Sequence, residues 1–140
     1  MCQRNAKEHL MTDQTAELTL ADLDYINDAY RSRDVDAVVD TFTDDAVFMI
    51  SRGADSWGTK FEGKDEIRKL FEKRFTSKRN MRWEHQGKWI CGDRVVLQFI
   101  VVATLDNGEE IRLHGCDLMQ MRGNKVAVKD TYWKSHEPPL

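Results

Sequence analysis

No stretch of this sequence is apolar enough and long enough to span a bilayer, and the opening MCQRNAKEHLMTDQTAEL is too polar for a signal peptide. A cytoplasmic protein without membrane contact is the expectation. Cysteine is sparse: Cys2, Cys91 and Cys116 are the three present, none in a C-x-x-C or zinc-type spacing. That pattern excludes a disulfide framework and fits reduced thiols. A surplus of positive charge is missing too. The formal net charge is -3, with 32% charged and 41% hydrophobic residues, so there is no electrostatic case for nucleic acid. Repeats, low-complexity tracts, phosphate loops, paired metal-ligand motifs and a Ser-His-Asp arrangement are also lacking. No cofactor and no metal are therefore expected.

What is present is one domain's worth of patterned chain, since 140 residues can bury a core without staples. The periodic pattern begins near Leu20, so residues 1–17 are expected to be a disordered lead-in, with Met11 as an alternative start. The domain itself should cover 18–135, and 136–140 should be a tail. Thr19 and Asp22 resemble a capping arrangement, after which Leu20, Leu23, Ile26 and Tyr30 recur at helical spacing. A helix over 20–32 follows. Asp34 can cap a second short helix with Val35, Val38, Val39 and Phe42 as its stripe. Thr43, Asp44 and Asp45 then look like a polar turn before a strand at 46–50. Residues 51–63 read as a glycine-punctuated loop carrying an unexpected Trp57, and 64–77 as a third helix with Ile67, Leu70, Phe71 and Phe75 on one side.

Beyond Asn80 the period changes from about 3.6 to about 2. Strands are expected at 81–90, 94–105, 110–121 and 126–134, with Asp106-Asn107-Gly108 and Arg122-Gly123-Asn124 as hairpin turns. Helices followed by a meandering antiparallel sheet give an α+β fold, the helices covering one face of a curved sheet.

Three segments carry a family resemblance: RDVDAVVDTFTDDAVF, FEGKDEIRKLF and GCDLMQMRGNKVAVKDTYW. Together they resemble the cone-shaped nuclear transport factor two-like fold, shared by ketosteroid isomerases and SnoaL-like polyketide cyclases, over about residues 18 to 134. This fold hosts isomerases, dehydratases, epoxide hydrolases, cyclases and proteins without chemistry, so it does not fix function. In ketosteroid isomerases a base aspartate ends the first strand, and a tyrosine on the first helix joins a protonated aspartate on the closing hairpin; that enzyme is a standard example of a carboxylic acid kept neutral at pH 7. By this resemblance the base position falls on Ile50 and the tyrosine position on Ile26. Neither side chain can move a proton, so this is not a standard ketosteroid isomerase. The aspartate position falls on Asp117, a supporting tyrosine position on Phe71, and a pocket-wall tryptophan on Trp133.

Strand parity supports an inward Asp117 without the family. Its face also holds Leu113, Gly115, Met119 and Met121, while Arg112, His114, Cys116, Leu118 and Gln120 share the other. On the last strand, Val126, Val128, Asp130 and Tyr132 oppose Ala127, Lys129, Thr131 and Trp133. Hydrophobicity mildly favours the first set as buried; the resemblance places the second inside. Following the resemblance brings Lys129 within reach of Asp117 and lines the cone with Gln98, Ile100, Val102 and Thr131. The plain alternative is a structural ion pair, or a Lys129 that snorkels to solvent.

His85 shares a face with Met81, Trp83 and Trp89 at strand spacing and is the best-tuned proton shuttle if that face is inner, or else a packed core histidine. Trp57 either closes the mouth over a ligand or covers its own edge of the core. Lys64, Arg68, Lys69, Lys73, Arg74, Lys78, Arg79 and Arg82 outweigh Asp65, Glu66 and Glu72 in one run, for which a solvated helix face is the usual explanation.

Two functions remain open. One is a cofactor-free enzyme of isomerase, lyase or polyketide-cyclase type acting on a small apolar carbonyl compound, with Asp117, Lys129 and His85 catalytic. The other is a non-catalytic small-molecule-binding module or dimeric scaffold. The expected partner is a small hydrophobic molecule, unless the scaffold's cone is simply a packed core, and the resemblance adds a homodimer through the sheet face.

Overall fold

A computed structural model describes residues 17–135. The lead-in and the tail expected at 1–17 and 136–140 lie, apart from Glu17, outside these residues. The first helix, α1 (Leu20–Ser32), starts where the sequence places it because Thr19 and Asp22 cap it reciprocally: the Thr19 N–H donates to Asp22 Oδ2 at 2.8 Å and the Asp22 N–H to Thr19 Oγ1 at 3.3 Å. Its stripe buries Leu23, Ile26, Ala29 and Tyr30. Arg33 ends it in the left-handed region and donates to the carbonyls of Met81 and Phe75 at 2.6 and 3.3 Å. The short α2 (Val35–Asp40) is capped by the Asp34 carboxylate.

Strand β1 (Phe42–Met49) departs from the expectation of a polar turn at Thr43 to Asp45, because those residues belong to the strand. Phe42 pairs with Val126 and Val47 with Val128, so the intervening residues bulge out of the ladder. There Asp45 accepts from Thr43 Oγ1 and from Arg122 Nη1, both at 2.9 Å. The stretch expected to be all loop also contains β2 (Lys60–Glu62), which pairs antiparallel with β1. Helix α3 (Lys64–Thr76) follows, burying Ile67 and Phe71.

The remaining chain is β3 (Arg82–Cys91), β4 (Arg94–Thr104), β5 (Glu110–Arg122) and β6 (Lys125–Trp133). The six-stranded sheet runs β2-β1-β6-β5-β4-β3. It is not wholly antiparallel, because β1 lies parallel to β6. Nor do the three helices all precede the sheet, since α3 comes after β1 and β2. Helix α1 packs on β3 and α3 on β1 and β2, so one face of the curved sheet is covered. Between them Phe42, Phe48 and Phe71 stack in series, with centroids 6.2 and 5.9 Å apart. Among the described residues no helix is long and apolar enough to cross a membrane.

Candidate functional site

The covered face of β5 carries Leu113, Gly115, Asp117, Met119 and Met121, as strand parity requires. Asp117 stands opposite Leu97 of β4 and Thr131 of β6, and Lys129 stands opposite Met119 on one side and Phe48 on the other. Three polar side chains thus meet on neighbouring rungs beneath the aromatic core. Asp117, Lys129 and Thr131 are only 5, 5 and 6% exposed. The Thr131 hydroxyl donates to Asp117 Oδ1 at 2.6 Å, and Lys129 Nζ is 3.4 Å from Asp117 Oδ2. Lys129 also donates to the hydroxyl of Tyr30, and its ammonium sits 4.1 Å from the centre of the Tyr30 ring and 4.8 Å from that of Phe48.

Tyr30 completes the cluster from α1. Burial pushes its phenol above the ordinary value; Lys129 pulls it down and Asp117 up again. It is therefore a neutral hydroxyl at pH 7 whose oxygen already accepts a bond from an ammonium, leaving its own proton to donate. Its ring is held edge-on to Phe71 and Trp83, both at 5.4 Å. Such a group is built to hydrogen-bond an oxygen that gains negative charge, while a carboxylate beside it can take a proton.

A cavity of about 450 Å³ opens in the same cone, within the range of small-molecule sites. Its wall is mostly apolar, with Ile50, Phe61, Leu70, Val101, Leu113 and Trp133 among the lining residues. Asp117 and Lys129 do not line it. On every strand the cavity residues precede or follow the cluster along the covered face: Leu113, then Gly115, then Asp117 on β5; Trp133, then Thr131, then Lys129 on β6. Gly115 marks the boundary. A Cβ there would lie 2.7 Å from the Trp133 indole and 2.8 Å from the Phe99 ring, so glycine lets these two rings close over the strand at this rung. Arg74 spans both regions. It lines the cavity, its guanidinium lies 5.4 and 5.5 Å from the Phe48 and Phe71 ring centres, and burial lowers it to about 10 against the upward pull of Tyr30 and Asp117.

The remaining sequence candidates divide. Ile50 and Trp133 line the cavity, and Thr131 holds Asp117. Phe71 is wholly buried core beside Tyr30. Gln98, Ile100 and Val102 are misplaced by the sequence reading. They pair with Cys116, His114 and Arg112, which puts them on the opposite face of the sheet; Leu97, Phe99 and Val101 take the inner positions. Val102 is fully buried on its own face, so β4 has apolar residues on both sides and its parity is unreadable. Trp57 is 49% exposed, lies against Lys60 Nζ at 4.5 Å and is not a cavity residue.

His85 and Trp83 do lie on the inner side, opposite Phe99 and Val101, but Trp89 does not share that face. A bulge at Gln86 shifts the register, turning Trp89 outward against Val96. Burial, then the charges of Arg31 and Lys129, push the His85 imidazole down to about 4. It is neutral at pH 7, its Nδ1 is buried without a partner, and it neither lines the cavity nor bonds to Asp117.

Tyr30 and Arg74 are the residues the sequence reading missed. Tyr30 is one helical turn beyond Ile26, on the same stripe, so the hydroxyl absent from position 26 is supplied from the next turn. Arg74 was hidden in a charged run, although it follows Leu70 and Phe71 at helical spacing.

The sequence matches the SnoaL-like domain family over residues 23–129, and the chain belongs to that family. No curated protein matches it significantly. Among solved structures it is similar to an NTF2-like protein of unknown function from Mesorhizobium loti (17% identity, 83% of this chain and 90% of that one, TM-score 0.68). It is also similar to TerC co-crystallised with polyporic acid (19%, 82% and 90%, TM-score 0.71). A third is SalBIII, an epoxide hydrolase/cyclase-like enzyme of pyran ring formation in the polyether salinomycin (19%, 82% and 92%, TM-score 0.67). At these identities the likeness establishes the fold.

Proposed function

We propose that this SnoaL-like domain binds a small, largely apolar carbonyl compound in its cone and turns it over by proton transfer without a cofactor, as an isomerase, lyase or cyclase. The observation that carries the reading is the Tyr30–Lys129–Asp117 cluster, buried beneath a mostly aromatic and aliphatic core. Taking an ammonium and a carboxylate out of water costs several kcal/mol per ion, and an apolar trio of the same volume is as stable or more so. Such arrangements concentrate where chemistry needs them. In the proposed step Tyr30 donates to the carbonyl oxygen, Lys129 supports the charge that develops there, and Asp117, held by Thr131, takes the proton from the adjacent carbon. The electron pair of that C–H bond becomes the enolate, and the proton returns at another carbon or a leaving group departs. Relatives with cyclase-type chemistry on this fold favour the same class.

A second reading, a non-catalytic binding module, is favoured by one observation. Leu113 and Trp133 line the cavity, whereas Asp117 and Lys129, further along the same strands, do not. The experiment that separates them is solvent-deuterium incorporation into a panel of apolar aryl and cycloalkyl ketones, followed by mass spectrometry. Exchange by the native protein that is lost in folded Asp117→Asn supports the enzyme. Ketones that bind without exchanging leave the binding module. In either case we propose that the protein works in the cytoplasm, as a homodimer joined through the outer face of the sheet.

A further inference from the structure

The cavity's mouth is charged in one sense only. Arg52, Lys69, Lys73, Arg74 and Arg79 all line it, and no aspartate or glutamate does. This is the reverse of the whole chain, whose formal net charge is -3. Among the described residues none of these five cations is in an ion pair, whereas Arg68, Arg82, Lys88 and Arg112 elsewhere on the surface each rest against a carboxylate. A cation cluster left unpaired around an apolar opening raises the local concentration of anions and repels cations.

The cluster also has depth. Arg52, Lys69, Lys73 and Arg79 are exposed at the rim, while Arg74 is half-buried in the wall. The Arg52 guanidinium lies 5.8 Å from the centre of the Trp133 ring, and the Trp133 indole N–H has no hydrogen-bond partner. Below these groups the wall is aliphatic and aromatic, from Leu70 to Leu113. A neutral apolar ligand would use the lower wall and leave five cations unanswered.

We infer that the ligand of this cavity is an amphipathic acid: an apolar ring system bearing a carboxylate, or an equally acidic enol, that is held at the mouth by Arg74 and the rim cations while its apolar body fills the cone. The inference rests on the reading of the cone as a small-molecule site and specifies the substrate class. An acid held by these cations lays its apolar body along the aliphatic and aromatic wall from Leu70 to Leu113. The anchor sets orientation and takes no part in the proton transfer. Arg74, whose charge reaches both regions, is the positioning residue between them.

The test uses the full chain and two probes with the same ring system, anthracene carboxylate and its methyl ester, titrated by fluorescence at low and high salt. The carboxylate should bind at least about tenfold more tightly than the ester, the gain expected of a charge-assisted hydrogen bond, and should lose that advantage as salt rises. Lys73→Met with Arg79→Met, both at exposed positions, should cut the preference severalfold while leaving the ester's affinity unchanged. Arg74→Met should cut it further, and if that variant does not fold the rim pair still decides. An ester that binds as tightly as the acid overturns the inference and leaves the cavity a binding site. Failure of both probes to bind overturns the inference together with the reading beneath it.

Discussion

Lys129 Nζ lies 3.4 Å from Asp117 Oδ2, with both side chains almost wholly removed from solvent. A buried pair of this kind is weak evidence for stability but makes its members depend on each other. Lys129→Met leaves the carboxylate without its cation and is expected to cost about 3–5 kcal/mol in urea unfolding. Adding Asp117→Leu should restore most of that loss. If the double variant is no more stable than Lys129→Met alone, the two groups are not coupled.

His85 gives a pH dependence whose direction is fixed. Its imidazole falls from an ordinary value of 6.5 to about 4 in the folded chain, so between those limits the unfolded state holds more protons. Stability from this site is complete above about pH 6.5 and is lost as pH falls through about 4. His85→Phe should flatten that part of the profile, seen as a smaller drop in unfolding midpoint than the native protein shows over the same window. An unchanged slope would mean the histidine titrates normally.

The uncovered face of the sheet presents Trp89, Leu118 and Tyr132 at 51, 44 and 53% exposure, with Val96 pairing between Trp89 and Leu118. Adjacent exposed apolar side chains of this kind support the proposed association surface. Leu118→Arg is expected to convert a homodimer into a monomer in sedimentation equilibrium without loss of fold. A native protein already monomeric at micromolar concentration contradicts the proposed dimer.

Much of this was legible because long elements keep one period. The inward aspect of Asp117 followed from β5, where Leu113, Gly115, Asp117, Met119 and Met121 alternate without a break. On β6 the alternation misled, because Gln120 pairs with Val128 but Met121 with Val126, so the skipped Ala127 puts Val126 on the same side as Lys129. On β3 the bulge at Gln86 separated Trp89 from His85, and bulges leave no mark in a hydrophobic pattern. Gln98 was misassigned for a different reason: a strand with buried residues on both faces has no readable parity. Four of the cavity's cations, Lys69, Lys73, Arg74 and Arg79, lie in the basic run whose usual explanation is a solvated helix face, and only the fold turns them to one opening and adds Arg52 from the loop after β1.

If the buried cluster performs proton transfer, Tyr30→Phe should disable it. The change keeps the ring against Phe71 and Trp83 and removes one oxygen, so fold and ketone binding should persist. The measurement is the rate of solvent-deuterium incorporation into a ketone that the native protein exchanges. Loss of the donor should lower that rate by about 100-fold with little change in ketone affinity. An exchange rate equal to the native one, in a folded variant that binds the same ketone, contradicts the account.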